Sequence, residues 1–183
     1  MPNAMRHQVA YLGKDGTFAD FNESSLYYAG ALGQRVTQDN KDYQLVRLDS
    51  GATASATTGV VAAGDVGFWK DKAAYLATND INQALGAVDG TNDNKRNFVA
   101  GIFLSAITAG SHCWIQQGGR ASVLAASGGT YAVGNIAIAA NSTLSDVTTI
   151  AAGAAFTATQ VGLVAGARSS GKADLDLTLP GIP

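Results

Sequence analysis

The chain has 183 residues, enough for one large β domain or two small ones. Its 46% apolar content overstates the core, because 33 residues are alanine and another 22 are glycine, and both bury little area. A net charge of −2, no basic cluster beyond Lys95-Arg96, a single cysteine and no apolar run near membrane length argue against nucleic-acid binding, an intrachain disulfide and a helical membrane span.

Charged residues make up 14% of the chain, against about 25% in ordinary soluble domains. Residues 1–96 carry 20 of the 26 charges. A thin core and a weakly charged second half predict a surface that packs against neighbours and draws stability from them. The first residues hold no apolar stretch of the secretory kind, so no leader is expected.

Residues 1–40 mix Tyr11, Phe18, Phe21, Tyr27 and Tyr28 with glycine and polar residues and show no sustained period. They read as an extended arm with a short helix over 24–32. From Tyr43 the pattern turns to β. Strands are expected at 43–48, 66–69 and 73–78, with small polar residues at 51–58 forming a loop. Residues 79–88 give the best helix, since Asp80 and Gln83 have capping-box spacing and Gly86 limits it to about two turns. Asp89 to Lys95 is a dense turn signal.

Beyond it the chain is strand upon strand, at 98–107, 112–116, 121–124, 136–139, 147–150, 155–167 and 173–178. The expected joints are Ala109-Gly110, Gly118-Gly119, Gly128-Gly129 and Ser170-Gly171. Short strands with glycine-rich turns argue for a sandwich or barrel. The divisions drawn from these shifts are an arm at 1–40, a β module at 41–96 and a second β module at 97–183, the two being able to form one body.

The chain also echoes itself. Residues 59–68 and 129–138 share the pattern G-x-x-A-x-G-[D/N]-[V/I]-x-[F/I], and Gly101 to Gly110 aligns with Gly162 to Gly171. In the first pair a Gly-Asp or Gly-Asn turn launches a strand, and in the second an apolar strand ends in a glycine turn. Two related modules are therefore expected.

No catalytic or metal-binding set emerges. His7 and His112 are far apart in sequence, and no Cys/His/carboxylate spacing fits zinc. Cys113 reads as a buried apolar residue. Asp174 and Asp176 share one face of a strand and read as a solvated pair. Gly166 to Ala173 nearly matches the phosphate-binding loop, but Ala173 replaces the hydroxyl residue and too little chain follows for a nucleotide domain. Trp69 and Trp114 read as core or interface anchors rather than sugar platforms. No enzyme activity, cofactor or metal is expected.

Residues 38–51, Gly59 to Val66, Phe68-Trp69-Lys70, Val99 to Ile102, Thr108-Ala-Gly110 and Trp114 to Gln117 resemble tailed-bacteriophage capsid decoration (cement) proteins. The resemblance covers about two thirds of the chain and rests on structural turns. It implies small β-barrel or β-tulip bodies on the outer capsid surface of the virion, bound to the major capsid protein and to copies of itself, often as trimers. It also implies extended termini lying on the shell. Contacts to the capsid or between subunits are expected at Tyr11, Phe18, Phe21, Tyr27, Tyr28 and Trp69. The alternative is a phage fibre or tail module that binds host carbohydrate.

Overall fold

The computed structural model describes residues 32–51, 60–84, 99–139, 147–150 and 160–179. Within them thirteen strands form: β1 (Arg35–Gln38), β2 (Lys41–Leu48), β3 (Val60–Val61), β4 (Val66–Asp71), β5 (Leu76–Thr78), β6 (Val99–Phe103), β7 (Ile107–Thr108), β8 (His112–Gln116), β9 (Gly118–Leu124), β10 (Ile136–Ala139), β11 (Val147–Ile150), β12 (Gln160–Ser169) and β13 (Lys172–Thr178). The fold is mainly β, as expected. Of the helix expected at 79–88, residues 85–88 lie outside the described residues, and the described part holds one 3-10 turn, Ile81–Gln83. Gln83 N donates to Asp80 O at 3.0 Å, and Gln83 Nε2 to Asp80 Oδ2 at 3.1 Å. The helix expected over 24–32 falls almost wholly outside the described residues, and the loop over 89–95 wholly so.

The first sheet runs β1-β2-β5-β4-β6-β8, and β8 pairs back onto β2, which closes β2, β5, β4, β6 and β8 into a barrel. Alternation along each strand decides what fills it. Val46 and Leu48 from β2, Trp69 from β4, Phe103 from β6, and Cys113 and Ile115 from β8 point inward and form its core. β1 lies outside the ring as a hairpin on β2. Its turn residues Asp39 and Asn40 both have positive φ, 51° and 59°, the type I′ form that matches strand twist. Val36 and Leu104 cover Tyr43, Leu45 and Trp114 on the barrel's outer side.

The second sheet, β11-β10-β12-β13-β9, repeats the first strand by strand. β4 meets β6 as Val66↔Ile102, Gly67↔Gly101 and Phe68↔Val99, with the register slipping after Gly67. β10 meets β12 as Ile136↔Leu163, Ala137↔Gly162 and Ile138↔Gln160, with the same slip after Ala137. Trp69↔Ala77 recurs as Ala139↔Val147. Phe103↔Ile115 recurs as Val164↔Leu175, and Val46↔Cys113 as Val123↔Ala173. The parallel pairing Leu48↔Ala77 that closes the first ring returns as a parallel bridge between Ala125 and Val147. The described residues thus form two tandem copies of one five-stranded barrel.

The turns that carry the sequence echo are equally alike. Gly64 and Gly134 have φ of 96° and 88°. Asp65 N donates to Ala62 O, and Asn135 N to Ala132 O. Gly64 N donates to Phe103 O, and Gly134 N to Val164 O.

This repeat corrects two expectations. The first barrel draws β6 and β8 from beyond residue 96, so the copies divide at Gln117, between β8 and β9, and not at 96/97. The fall in charge near 97 marks a change of surface, not of fold. Gly118-Gly119, expected as a joint, opens β9. A Cβ on Gly119 would stand 2.3 Å from Asn40 O, so the glycine admits the β1–β2 turn.

Candidate functional site

Both barrels are filled. The first is packed around Trp69 and Phe103, where the second has Ala139 and Val164. The second compensates with Tyr131 at the position of Val61, its hydroxyl 2.6 Å from Val147 O. Cys113 is 2% exposed inside the first barrel, and burial pushes its thiol well above the usual range, which leaves it protonated and unreactive. His112, its neighbour on β8, is also buried. Among the described residues no three His, Cys, Asp or Glu side chains gather as metal ligands.

The polar groups serve the architecture. Asp65 Oδ2 accepts from Ala62 N at 2.8 Å and from Asn79 Nδ2 at 3.2 Å, fixing the turn into β4. Lys70 Nζ is 2.8 Å from Asp49 Oδ2. Asp176 meets Arg120 at 3.2 Å on the outside of the second barrel, and Asp174 is exposed beside it. The segment resembling a phosphate loop is the β12–β13 hairpin, turning at Ser170-Gly171.

Of the residues expected to touch a partner, Tyr11, Phe18, Phe21, Tyr27 and Tyr28 lie outside the described residues. Trp69 is 4% exposed and packs in the core cluster of the first barrel. Trp114, 2% exposed, packs with Tyr43 and Leu45.

The contact between the barrels is the most informative surface. Val66, Phe68, Val99 and Ile102, on the outer face of β4 and β6, share one buried cluster with Ala121, Ala137, Val161 and Leu177 of the second barrel. Leu124 N donates to Gly64 O at 2.9 Å, locking β9 onto the turn. The barrel end engaged here is apolar, with Ala121 and Leu177. The same positions in the first barrel are Gln44 and Gln117, buried and joined by a 2.8 Å bond from Gln117 Nε2 to Gln44 Oε1, while Gln44 Nε2 donates to Gly33 O.

The counterparts of Val66, Phe68, Val99 and Ile102 in the second barrel are Ile136, Ile138, Gln160 and Leu163, of which Ile136 and Gln160 are buried, with Val133 at the turn where the first barrel has Ala63. Val133 is 73% and Leu163 38% exposed, the large apolar side chains that stand out among the described residues. The sequence held one signal here, the change from Ala63 to Val133 inside the echo, which adds apolar surface to a turn.

No family model and no curated protein matches the chain. Among solved structures, "The crystal structure of head fiber gp8.5 N base in bacteriophage phi29" is similar with a TM-score of 0.42 and 10% identity, over 77% of this chain and 97% of that one. A TM-score at that level does not establish a shared fold.

Proposed function

We propose that the protein is a non-enzymatic structural component of a phage virion that sits on the outer capsid surface and stabilises contacts between capsomers of the major capsid protein, together with further copies of itself. The observation that carries this reading is that the described interiors of both barrels are lined by buried apolar side chains, which supports contact through outer surfaces. The low charge of the second half and the resemblance of its turn motifs to capsid decoration proteins support it. Many modest contacts suffice, because copies held side by side act at high effective concentration. The rival reading, a fibre or tail module gripping host carbohydrate, calls for exposed aromatics, and Trp69 and Trp114 are both buried.

Cryo-electron microscopy of purified particles carrying the chain, with a mass-spectrometric copy count, tests the proposal. Hundreds of ordered copies over the shell are expected. A handful at one vertex or on the tail would favour the fibre.

A further inference from the structure

The two barrels differ in what protects one edge of their first strand. In the first barrel that edge of β2 is covered by neighbouring chain. β1 pairs along it as Val36↔Tyr43, Leu45 N donates to Gln34 O at 2.9 Å, and Arg47 N donates to Tyr75 O at 3.0 Å. In the second barrel the counterparts of Tyr43, Leu45 and Arg47 are Arg120, Ser122 and Leu124 of β9. Among the described residues no strand pairs with residues 118–124 on the side away from β13. Backbone groups on such an edge need other partners.

The first barrel supplies them. Gln116, at the end of β8, is 3% exposed, and its Nε2 donates to Gly118 O and to Arg120 O, both at 2.9 Å. Leu124 N donates to Gly64 O at 2.9 Å. One side-chain amide thus serves β9 where β1 serves β2, and the Gly64 turn serves its far end. The β1–β2 turn grips the same joint. Gln117 N donates to Asp42 O at 2.7 Å, and Cβ atoms on Gly118 and Gly119 would stand 2.6 Å from Asp42 Oδ2 and 2.3 Å from Asn40 O. Two glycines open β9 because the turn lies directly against it. In the second copy the counterpart of Gln116 is Asp176, which is exposed and pairs with Arg120, so the buried amide is peculiar to the joint.

We infer that Gln116 and the β1–β2 turn form a clasp, a conformational device that seats β9 on the first barrel and holds the two barrels at one fixed angle. The apolar cluster that the barrels share is non-directional and by itself leaves them free to slide. Two hydrogen bonds from one amide to alternate carbonyls of a single strand are directional, and they fix both its position and its tilt. The outer surfaces of the two barrels are then presented at one spacing, whatever they contact. The clasp is a property of the chain itself and stands apart from the capsid reading.

The test uses full-length protein with spin labels at Lys72→Cys in the first barrel and Ser169→Cys in the second, both exposed positions, and leaves the buried Cys113 in place. Double electron–electron resonance reads the distance between the labels, and hydrogen exchange reads the Leu124 N–H. Gln116→Met keeps the bulk and removes both donors. It is expected to broaden the distance distribution and to speed exchange at Leu124 roughly tenfold, as the loss of two hydrogen bonds would. Asp176→Asn, the control at the equivalent position of the second copy, is expected to match wild type in both readings. A folded Gln116→Met protein with wild-type distances overturns the inference, since the apolar cluster then sets the angle alone. A control that broadens equally, or a wild type already broad, overturns it as well. Should Gln116→Met lose its fold, Gly118→Ala, which drives a methyl against the Asp42 carboxylate, takes its place with the same outcomes.

Discussion

Cys113 projects from β8 into the first barrel among Val46, Phe103 and Ile115, and burial pushes its thiol upward. An unfolded thiol ionises near pH ~8.5. Above that pH the unfolded chain binds fewer protons than the folded one, so stability falls as pH rises, by up to about 1.4 kcal/mol per unit for this group. The contribution is fully present below the unfolded value and drains away above it. Cys113→Ala, which installs the residue found at the equivalent Ala173, is expected to flatten stability between about pH 8.5 and 9.5 relative to wild type. Denaturant titrations at several pH values check this, and parallel curves for the two proteins would refute it. The Gln44–Gln117 pair makes a second residue-scale case. Gln117→Leu alone strands Gln44 Oε1 and Ala100 O, at a cost of about 1–3 kcal/mol. Gln44→Ala/Gln117→Leu reproduces the Ala121 and Leu177 of the second barrel and is expected to recover much of that loss. A double variant as weak as the single would show that the pair does more than satisfy itself.

Strand existence was legible from alternation, while strand ends and neighbours were not. The run 98–107 contains β6 and β7, parted at Leu104–Ala106. The run 73–78 is strand from Leu76 onward, because Asp71 Oδ1 accepts from Ala73 N and Ala74 N and holds those residues in a turn. β1 was hidden inside the supposed arm, since its side chains alternate between exposed and half-buried and carry little apolar signal. The Gly-Asp and Gly-Asn echoes were readable because a turn with positive φ tolerates few residues. Those turns also give a graded prediction. Gly134→Ala strains φ alone and is expected to cost about 1–2 kcal/mol. Gly119→Ala combines a φ of 74° with a contact 2.3 Å from Asn40 O, so its loss should be the larger. Thermal melts of the two variants side by side check the order, and a milder Gly119→Ala would mean that the β1–β2 turn gives way easily.

At the scale of the whole molecule, the duplication was half visible. β4, β6 and their partners β10, β12 keep their turns, but β2 and β9 share only Val46/Val123 and β8 and β13 share no residue, because inward positions need only be apolar and outward ones follow whatever covers them. A boundary drawn from charge therefore cut the first barrel. The shared cluster across the two barrels sets how the molecule unfolds. Val66, Phe68 and Ile102 of the first copy lie in one buried group with Val161, Leu175 and Leu177 of the second, so neither barrel keeps its outer contacts if the other melts. Both tryptophans sit in the first barrel, which makes their fluorescence a reporter of that copy alone. Leu175→Ala, deep in the second barrel, removes core volume at a cost of about 2–5 kcal/mol. If the barrels form one cooperative unit, tryptophan fluorescence and far-ultraviolet circular dichroism shift together to lower denaturant in this variant. A fluorescence midpoint that stays at its wild-type value while the dichroism splits into two steps would show that the first barrel stands without the second, and that the apolar face of β4 and β6 tolerates exposure.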